Sequence, residues 1–432
     1  MKIYVKQLVL SVMLLCVCAM VFPQETNEKV LRLTLKEAQD YALQNNKIIQ
    51  NSGASVSEAQ LKVWEIIAAG LPQVNATLDY TNMLGFKMEL FGMSIPLEPT
   101  SSLSASVTQL LFSGSYWIGI KMARIGENVA GISKQQSELD LIQQTQTAYL
   151  SVLVVEENKK ILEKNLNNIE AIAKKAEDMV RTGVAEQTDA DRIRIQVGAV
   201  MNGIKSVERA GEMALNLLRF HLGVSMGTEI VLTETLEDLM NRKPAEEVLT
   251  TTFDINSNLT MQLIDKQIEI SNKQIQLEQA STLPTVVMFY NYTHKIKAST
   301  FDMTPKNIIG MQANIPIFAS GQRHSKIQQA KIRLESAQNN RELVNEQLLM
   351  QEKQLRFNLK NAIETLEYQQ ETLEVSQRVF ESITRKYNQG VSSSLDVITA
   401  NTDLLQAQSN YISAMMQVFM AQTELEKLLN VL

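Results

Sequence analysis

The sequence predicts a mainly α fold with a small β part, in which long antiparallel coiled-coil helices accompany four strands. Glycine and proline supply only 17 and 8 of the 432 residues, so turns must be few. Two stretches of about 68 residues, 115–182 and 322–389, contain no proline. Four shorter segments alternate apolar and polar residues with the period of two that is typical of strands. Together these observations indicate very long helices joined to a small sheet.

The chain begins with an export signal. Lys2 and Lys6 precede a long apolar run, the pattern of a secretory signal peptide, which we place at residues 1–22. Both cysteines, Cys16 and Cys18, lie inside that run, so the exported chain is expected to have no disulfide and no thiol chemistry. A lipoprotein signal would need a small residue before its cysteine, and neither cysteine has one. No later stretch has the ~18 consecutive apolar residues of a membrane-spanning helix.

An internal repeat of about 207 residues organises the rest of the chain. The segment LPQV at 71–74 recurs as LPTV at 283–286, and Gly183 recurs as Gly390. These landmarks come in the same order in both halves, which favours duplication over coincidence. We therefore expect a first repeat over residues 23–223, a connector over 224–254, which in the family resembled below would be the equatorial connector, and a second repeat over 255–432.

The first repeat opens with two helices. Thr34 and Glu37 match a capping box, in which a threonine side chain and a glutamate three residues later satisfy backbone donors at a helix start. The second helix is expected from about Ser52 to Ala69. Beyond it the apolar period falls from the helical value to two.

Four strands are predicted as two hairpins, at about 73–112 and about 285–318. Each strand is about ten residues long, the length that crosses an outer membrane when tilted. Their opposite faces carry small uncharged polar residues, which suit a water-filled lumen. An ordinary half-buried sheet is the usual alternative, but the signal peptide and the long helices argue against it. The apolar rows are Val74, Ala76, Leu78 and Tyr80; Leu103, Ala105, Val107 and Leu111; Val286, Met288, Tyr290 and Tyr292; and Ile309, Met311, Ala313, Ile315 and Ile317.

The long helices need lateral partners, because about 68 helical residues span roughly 100 Å. The last segment shows an a/d heptad seam with small residues at d, and a third apolar column suggests a second neighbour. Helices with two neighbours can close into a ring. The columns are Val397, Leu404, Tyr411, Val418 and Leu425; Ala400, Ala407, Ala414, Ala421 and Leu428; and Ile398, Leu405, Ile412 and Phe419.

Each repeat is expected to turn back at a glycine. Gly183 and Gly390 are placed as left-handed C-caps that end the long helices. Candidate N-caps follow each glycine: Thr188 with Asp191, and Ser393 with Asp396.

Several function classes are excluded. The net charge of −6 leaves no basic surplus for a phosphate backbone, so no nucleic acid partner is expected. The three histidines, His221, His294 and His324, have no ligand-type spacing, and we predict no catalytic residue, no metal and no cofactor. There is no phosphate-binding loop, so the protein is not expected to energise any process itself. The 20 methionines are dispersed, which favours adaptable packing over a metal relay.

Asp189 and Asp396 are the paired acidic positions that the repeat selects, six residues after each tip glycine. One interpretation is that each carboxylate favours the positive end of a helix dipole. The other is that symmetry copies them into an acidic ring that selects cations or responds to pH. A single residue can do both.

The chain resembles the TolC-like outer-membrane efflux protein family (the outer membrane factors). The resemblance covers nearly the whole chain after the signal peptide. Each matching motif is weak alone, but the motifs occur in the family's order within a duplicated chain, which makes the resemblance specific. The pieces that carry it are LKEA at 35–38 with ALQNN at 42–46, LPQ at 71–73, and YNQGVSSSLDV at 387–397.

The resemblance implies a homotrimer with a shared 12-stranded barrel in outer-membrane lipid and a periplasmic α-barrel. Its hairpin tips, here 181–191 and 389–396, would close the entrance and meet a periplasmic adaptor protein, which links to an inner-membrane transporter. The reasoning from strands agrees in part: four strands cannot close a barrel, two copies give one that side chains nearly fill, and three leave a channel. Of the family's entrance residues, Asp189, Asp396 and Tyr387 carry over. Our hypothesis for the periplasmic entrance and adaptor contact adds the neighbouring tip residues Gly183, Gly390 and Ser392.

The sequence also departs from the family pattern at two entrance positions. Thr399 stands where well-studied members have a second acidic residue, and Ser392 stands where a basic residue is often found. Any contacts that lock the entrance must therefore differ in detail.

The predicted function is passive conduction of small molecules, such as drugs or toxic compounds, from the periplasm to the exterior, in the cell outer membrane. One alternative is a conduit for type I protein secretion, which uses the same architecture. A less favoured alternative is a periplasmic coiled-coil scaffold. The cargo stays open, and the apolar segment 84–100 either extends its hairpin or plugs the mouth.

Overall fold

The computed structural model describes residues 30–90, 93–96, 98–242, 245–298 and 304–431, so the predicted signal peptide lies outside the described residues. Long helices dominate, as predicted. The helices are α1 (Leu35–Asn45), α2 (Lys47–Ala68), α3 (Gly114–Arg181), α4 (Gln187–Leu222), α5 (Leu236–Arg242), α6 (Ala245–Thr250), α7 (Leu259–Ala280), α8 (Gln322–Asn388) and α9 (Ser394–Leu429). The strands are β1 (Leu31–Leu33), β2 (Gln73–Thr81), β3 (Lys87–Leu90), β4 (Met93–Pro96), β5 (Thr100–Ser113), β6 (Ile230–Leu232), β7 (Thr285–Lys297) and β8 (Asn307–Asn314).

The two halves repeat one plan. Helices α2 and α7 each have 22 residues, and α4 and α9 each have 36. The long helices α3 and α8 have 68 and 67 residues. The duplication seen in the sequence is therefore a duplication of element lengths as well.

Asparagine side chains join short helices end to end in both halves. Asn46 caps the start of α2 by accepting from Ile48 N, and its amide donates to the carbonyl of His221 at the end of α4 (2.7 Å). Asn258 caps α7 in the same way and donates to the carbonyl of Leu428 at the end of α9 (3.1 Å). Both asparagines are buried. We call these contacts the Asn46 and Asn258 junctions; they stack α4 below α2, and α9 below α7.

The stacked helices and the long helices form a wall of four columns. Helix α3 packs against the α4–α2 column and also against the α9–α7 column, and α8 packs against α9 and α7. The order along the wall is therefore α4–α2, α3, α9–α7, α8. No helix within the described residues is both long enough and apolar enough to cross a membrane.

The four-stranded sheet continues the wall. Its order is β2-β5-β7-β8, and every pair is antiparallel, so β2 with β5 and β7 with β8 form the two predicted hairpins. Along the chain β2 follows α2, β5 leads into α3, β7 follows α7 and β8 precedes α8, so the strands come in the same order as the helical columns. Strand β8 ends at Asn314, earlier than the predicted limit of 318, because Pro316 has no N–H for a ladder bond. The predicted row members Ile315 and Ile317 thus lie beyond the strand.

The heptad seam of the last helix is buried as predicted. Its first members, Val397 to Leu404, and its last members, Val418 to Leu428, pack in two apolar clusters that both include residues of α8. Between them Ala407 and Ala414 are buried and Tyr411 is half-buried. In the third column Ile412 and Phe419 are buried, and α9 contacts both α3 and α8. The predicted second neighbour is therefore present.

The start of α1 agrees with the prediction, whereas the start of α2 does not. The Thr34–Glu37 capping box is formed, with both reciprocal bonds present. Helix α2 begins at Lys47 rather than near Ser52, because the Asn46 cap starts it earlier.

The middle of the wall carries the residues between the repeats. Strands β1 and β6 pair in parallel there, and Arg356 of α8 donates to Glu352 and to the carbonyls of Leu249 and Thr251. In the apolar segment 84–100, β3 and β4 pair only with each other, as a two-stranded hairpin apart from the main sheet; residues 91, 92 and 97 lie outside the described residues.

Candidate functional site

Both tips turn at a glycine with a left-handed backbone. Gly183 has φ 74° and Gly390 has φ 75°, and each lies two residues after the last residue of a long helix. A Cβ at either position would meet nothing within 4 Å, so it is the backbone conformation, not lack of space, that favours glycine. The predicted C-cap glycines are confirmed.

The two helices that leave the tips begin differently. Ser393 caps α9 and forms a full capping box with Asp396. The predicted cap at Thr188 is wrong: α4 begins at Gln187, and its N-cap is Glu186, whose side chain makes no capping bond. Asp189 and Asp396 are nonetheless equivalent, since each is the third residue of its helix. Only Asp396 is used to cap its own helix.

Asp189 instead joins the two tips. The hydroxyl of Ser394, in the first turn of α9, donates to the Asp189 carboxylate at 2.5 Å. Ser394 is buried and Asp189 is half-buried. We call this bond the tip contact; it links the two hairpins, whose sequence positions are 205 residues apart. The N-cap of α4 is Glu186, and the Asp189 carboxylate does not form a capping box with it. The Asp189 carboxylate is therefore free to accept the bond from Ser394 in the other hairpin.

Tyr387 is packed beneath the tip contact. Its side chain is 3% exposed, within an apolar cluster that contains Ile193 and Val397. Burial raises the pKa of the Tyr387 phenol, and the nearby Asp189 carboxylate raises it further. The hydroxyl has no hydrogen-bond partner among the described residues. Tyr387 is therefore a neutral packing residue in this conformation.

Asp396 is an exposed anion in the first turn of α9. The backbone N–H of Ser393 (2.9 Å), the Ser393 hydroxyl (2.8 Å) and the Ser392 hydroxyl (3.0 Å) all donate to one of its oxygens. These bonds lower the pKa of Asp396 below its ordinary value, the backbone bond most. The carboxylate therefore stays ionised at any pH above the ordinary range for aspartate.

The tips also expose apolar side chains that sequence reasoning missed. Val184 is 69% exposed and Val391 is 75% exposed, and both directly follow the turn glycines. The recurrence of Gly-Val in both repeats marks these two positions in the sequence. A pattern of two residues does not indicate, however, whether the valine side chains are exposed. Between α3 and α8, just above the tips, lies a cleft of about 430 Å³ lined by residues that include Ile172, Phe380 and Arg385.

The sheet at the other end has an apolar face that is exposed in the single chain. Val74 lies opposite Val107, Val107 opposite Tyr290, and Tyr290 opposite Ile309, one residue from each strand. Val74 and Ile309, on the two edge strands, are 71% and 73% exposed. Exposed apolar surface of this continuity indicates contact with lipid or protein.

The opposite face of the sheet is polar. Thr77 lies opposite Ser104, which lies opposite Thr293, and the Ser104 and Thr293 hydroxyls are 3.3 Å apart. Asn75 and Asp79 flank Thr77 on the same face, because alternate residues share a face. This face suits contact with water, as the sequence predicts.

Nothing in the described part of the chain forms a site for metal chemistry. No group of three or more His, Cys, Asp or Glu side chains there is arranged to hold an ion. His221 is buried at the end of α4, and burial lowers its pKa, which favours the neutral ring.

Comparisons with known proteins agree with this architecture. The sequence profile described as "Outer membrane efflux protein" matches residues 39–224 and 255–431. The outer membrane protein TolC of Salmonella enteritidis is 24% identical over 310 residues, 69% of this chain, and the chain spans 61% of the length of that relative.

Solved structures share the fold across most of their length. The outer membrane protein VceC of Vibrio cholerae is similar with a TM-score of 0.73 at 15% identity, over 91% of this chain and 95% of that one. The MtrE outer membrane channel of Neisseria gonorrhoeae, in its open state, is similar with a TM-score of 0.72 at 16% identity, over 91% and 88%.

Proposed function

We propose, because the chain belongs to the outer membrane efflux protein family, that it is the passive exit duct of a tripartite export system. Membership of this TolC-like family places the protein in the outer membrane and makes it a transport protein rather than an enzyme. In the proposal, small molecules such as drugs or toxic compounds pass from the periplasm to the exterior through a lumen shared by three copies.

One observation carries the proposal: the chain is a wall with two faces and two open edges. The sheet is apolar on one face and polar on the other, and strands β2 and β8 each lack a partner on one side among the described residues. Unpaired strand edges require pairing, and an apolar outer face requires lipid. Three copies would give twelve strands, which is wide enough to leave a water-filled channel.

The proposed duct works with two partners, each assigned from a different observation. Its sequence has no phosphate-binding loop, so the energy for export must come from elsewhere, which we assign to an inner-membrane transporter. A periplasmic adaptor would connect the two by docking on the hairpin tips. The exposed Val184 and Val391 support this assignment, because apolar residues at a free end offer binding surface.

The entrance residues have distinct proposed roles. Gly183 and Gly390 form the turns, and Tyr387 packs the tip in its shut arrangement. The tip contact of Asp189 with Ser394 holds the hairpins together, and Ser392 helps to keep Asp396 ionised. Copies of Asp396 around the entrance would form the acidic ring that favours cations.

Conduction by the full chain in a planar bilayer tests the proposal. We expect steady ohmic steps with cation selectivity, and weaker selectivity for Asp396→Asn, which removes one charge but keeps the side-chain size. Thr399→Ala is the matched control, because Thr399 is exposed on the same turn and carries no charge. A folded protein that inserts but passes no ions would contradict the duct.

Docking of the adaptor is tested by photo-crosslinkers at Thr182 and Ser392, with Lys306 at the sheet end as the control. We expect capture of a periplasmic protein with a helical hairpin at the two tip positions only. A deletion strain distinguishes cargo: sensitivity to drugs supports small-molecule efflux, whereas loss of one secreted protein would favour type I secretion.

A further inference from the structure

The first turns of α3 expose three side chains on one face of the helix. Trp117 is 61% exposed, and Lys121 and Arg124 are exposed as well. The two cations follow Trp117 by four and seven residues, so the three side chains lie one above another on successive turns. Neither cation has an ion pair or a hydrogen bond to any residue that the structure describes. We call these three residues the α3 stripe.

The two longest helices carry charge of one sign at the sheet end. Residues 114–126, which begin α3, contain two Lys or Arg residues, and residues 322–334, which begin α8, contain four. Neither segment contains Asp or Glu, although the whole chain has 47 acidic residues against 41 basic ones. The sheet ends of α3 and α8 are therefore positively charged.

Contacts on both sides of α3 fix the direction of the α3 stripe. The Tyr116 hydroxyl donates to the carbonyl of Ile67 in α2 (2.9 Å), so Tyr116 faces the first column. A Cβ at Gly114 would meet Leu283 and Ala280 at the end of α7 (2.8 and 3.1 Å), so position 114 faces the third column. Each helical residue advances about 100°, so if α7 is at 0° the stripe falls at about 280–340° and Tyr116 at about 200°. The stripe therefore lies on one of the two open faces of the wall.

The handedness of the chain shows which face this is. The backbone N–H of Thr293, on the polar face of β7, donates to the carbonyl of Lys306, just before β8 (2.8 Å). In a strand of L-residues that runs upward, a residue whose side chain points toward the viewer has its N–H on the right. With the sheet uppermost and its polar face toward the viewer, β8 is therefore to the right of β7. By the order of the wall, α7 is then to the right of α3.

Helix α3 descends from the sheet, and a right-handed helix that descends turns clockwise when it is seen from above. Counted clockwise from α7, the polar side of the wall is at about 90° and the apolar side at about 270°. The α3 stripe thus lies on the same side of the wall as the apolar face of the sheet. Helical side chains lean toward the N-terminus of their helix, so Lys121 and Arg124 lean toward the sheet.

We infer that the α3 stripe binds the phosphate group of a phospholipid in the periplasmic leaflet of the outer membrane. The inference rests on the proposed function, in which the apolar face of the sheet meets lipid. Trp117 is then at the depth of the headgroups, where tryptophan side chains are favoured. Lys121 and Arg124 begin about 6 and 10 Å below Trp117 along the helix, and their long side chains extend toward the headgroups. Charge selects this occupant, because two unpaired cations beside an apolar membrane face attract an anionic headgroup.

Lipid binding by the full chain tests the α3 stripe. Purified protein in detergent is titrated with phosphatidylglycerol, and the bound lipid is counted by native mass spectrometry. Lys121→Gln with Arg124→Gln should bind this lipid roughly thirtyfold more weakly at low salt. Lys174→Gln with Lys175→Gln is the matched control, because it removes two exposed cations of the same helix far from the sheet. The control should bind the lipid as the wild type does.

Depth in the membrane is measured separately by fluorescence, since the chain has two tryptophans, Trp64 and Trp117. Trp64→Phe leaves Trp117 as the single tryptophan of the full chain in vesicles of phosphatidylcholine and phosphatidylglycerol. Phosphatidylcholine brominated near its headgroup should quench Trp117 more strongly than phosphatidylcholine brominated near its chain ends.

The outcomes separate the α3 stripe from the proposed function, because bilayer conduction by the wild type measures the duct independently. Three results would overturn the lipid site while the duct stands. They are a Lys121 and Arg124 variant that binds lipid no more weakly than the control, displacement of the lipid by an equal concentration of inorganic phosphate, and Trp117 fluorescence that brominated lipid leaves unchanged. A wild-type chain that inserts but does not conduct would overturn the duct instead.

Discussion

The Asn46 junction offers the sharpest energetic test of how the wall is built. Asn46 has two tasks: its oxygen accepts from Ile48 N, and its amide donates to the buried carbonyl of His221. Asn46→Ala removes both tasks. Asn46→Ser keeps a good N-cap but is too short to donate across to α4. Comparing the two variants separates the cap from the junction.

The expected magnitudes follow from these contacts. Loss of an N-cap costs about 1 kcal/mol, and loss of a hydrogen bond to a buried carbonyl costs about 1–3 kcal/mol. Asn46→Ala should therefore lose at least about 2 kcal/mol of local stability, or roughly thirtyfold in the opening equilibrium. Asn46→Ser should lose only the bond, at least about 1 kcal/mol, or roughly fivefold.

Hydrogen exchange measured by mass spectrometry reads this local opening directly. The probe is the first turns of α2, residues 50–53, and the equivalent turns of α7 are the internal control. Exchange should quicken at α2 in the order wild type, Asn46→Ser, Asn46→Ala, with α7 unchanged, and Asn258→Ala should reverse the pattern. Equal exchange at α2 in all three proteins would refute the junction.

Four further outcomes are expected. Asn165 and Asn401 form a buried amide pair between α3 and α9 (2.5 Å), so Asn165→Ala should cost about 1–3 kcal/mol in denaturant unfolding, and replacing both residues with leucine should recover most of it. Tyr387→Phe removes a buried hydroxyl without a partner and should not lower the melting temperature, whereas Tyr387→Ala should cost about 3–5 kcal/mol. Gly390→Ala forces a side chain into a left-handed backbone and should cost about 1–2 kcal/mol, again measured by unfolding. Because the folded-state pKa of Asp396 is lowered, its capping box should stabilise the start of α9 at neutral pH and be lost only as pH falls from about 4 through the lowered pKa, which exchange at α9 would follow.

Much of the fold could be predicted because its signals are long. A proline-free stretch of about 68 residues has few alternatives to helix, and the heptad columns of α9 continue through several turns. The turn glycines were predictable because a C-cap needs the left-handed backbone that glycine adopts readily. The capping box at Ser393 followed the same local chemistry.

What could not be predicted depends on contacts between distant segments. Asn46 belongs to the ALQNN motif at 42–46, but its amide donates to the carbonyl of His221, which is 175 residues away in the sequence. The tip contact is similar, because nothing local indicates that Asp189 meets Ser394. The cap of α4 was misplaced because Thr188 is a good capping residue by type, whereas the chain reaches helical geometry one residue before it.

Native mass spectrometry of the purified full chain in detergent is the most direct test that a lumen requires several copies. A complex of three identical chains is the predicted result, with ion conduction confined to that species. A stable lone chain, or conduction by a single copy, would contradict it.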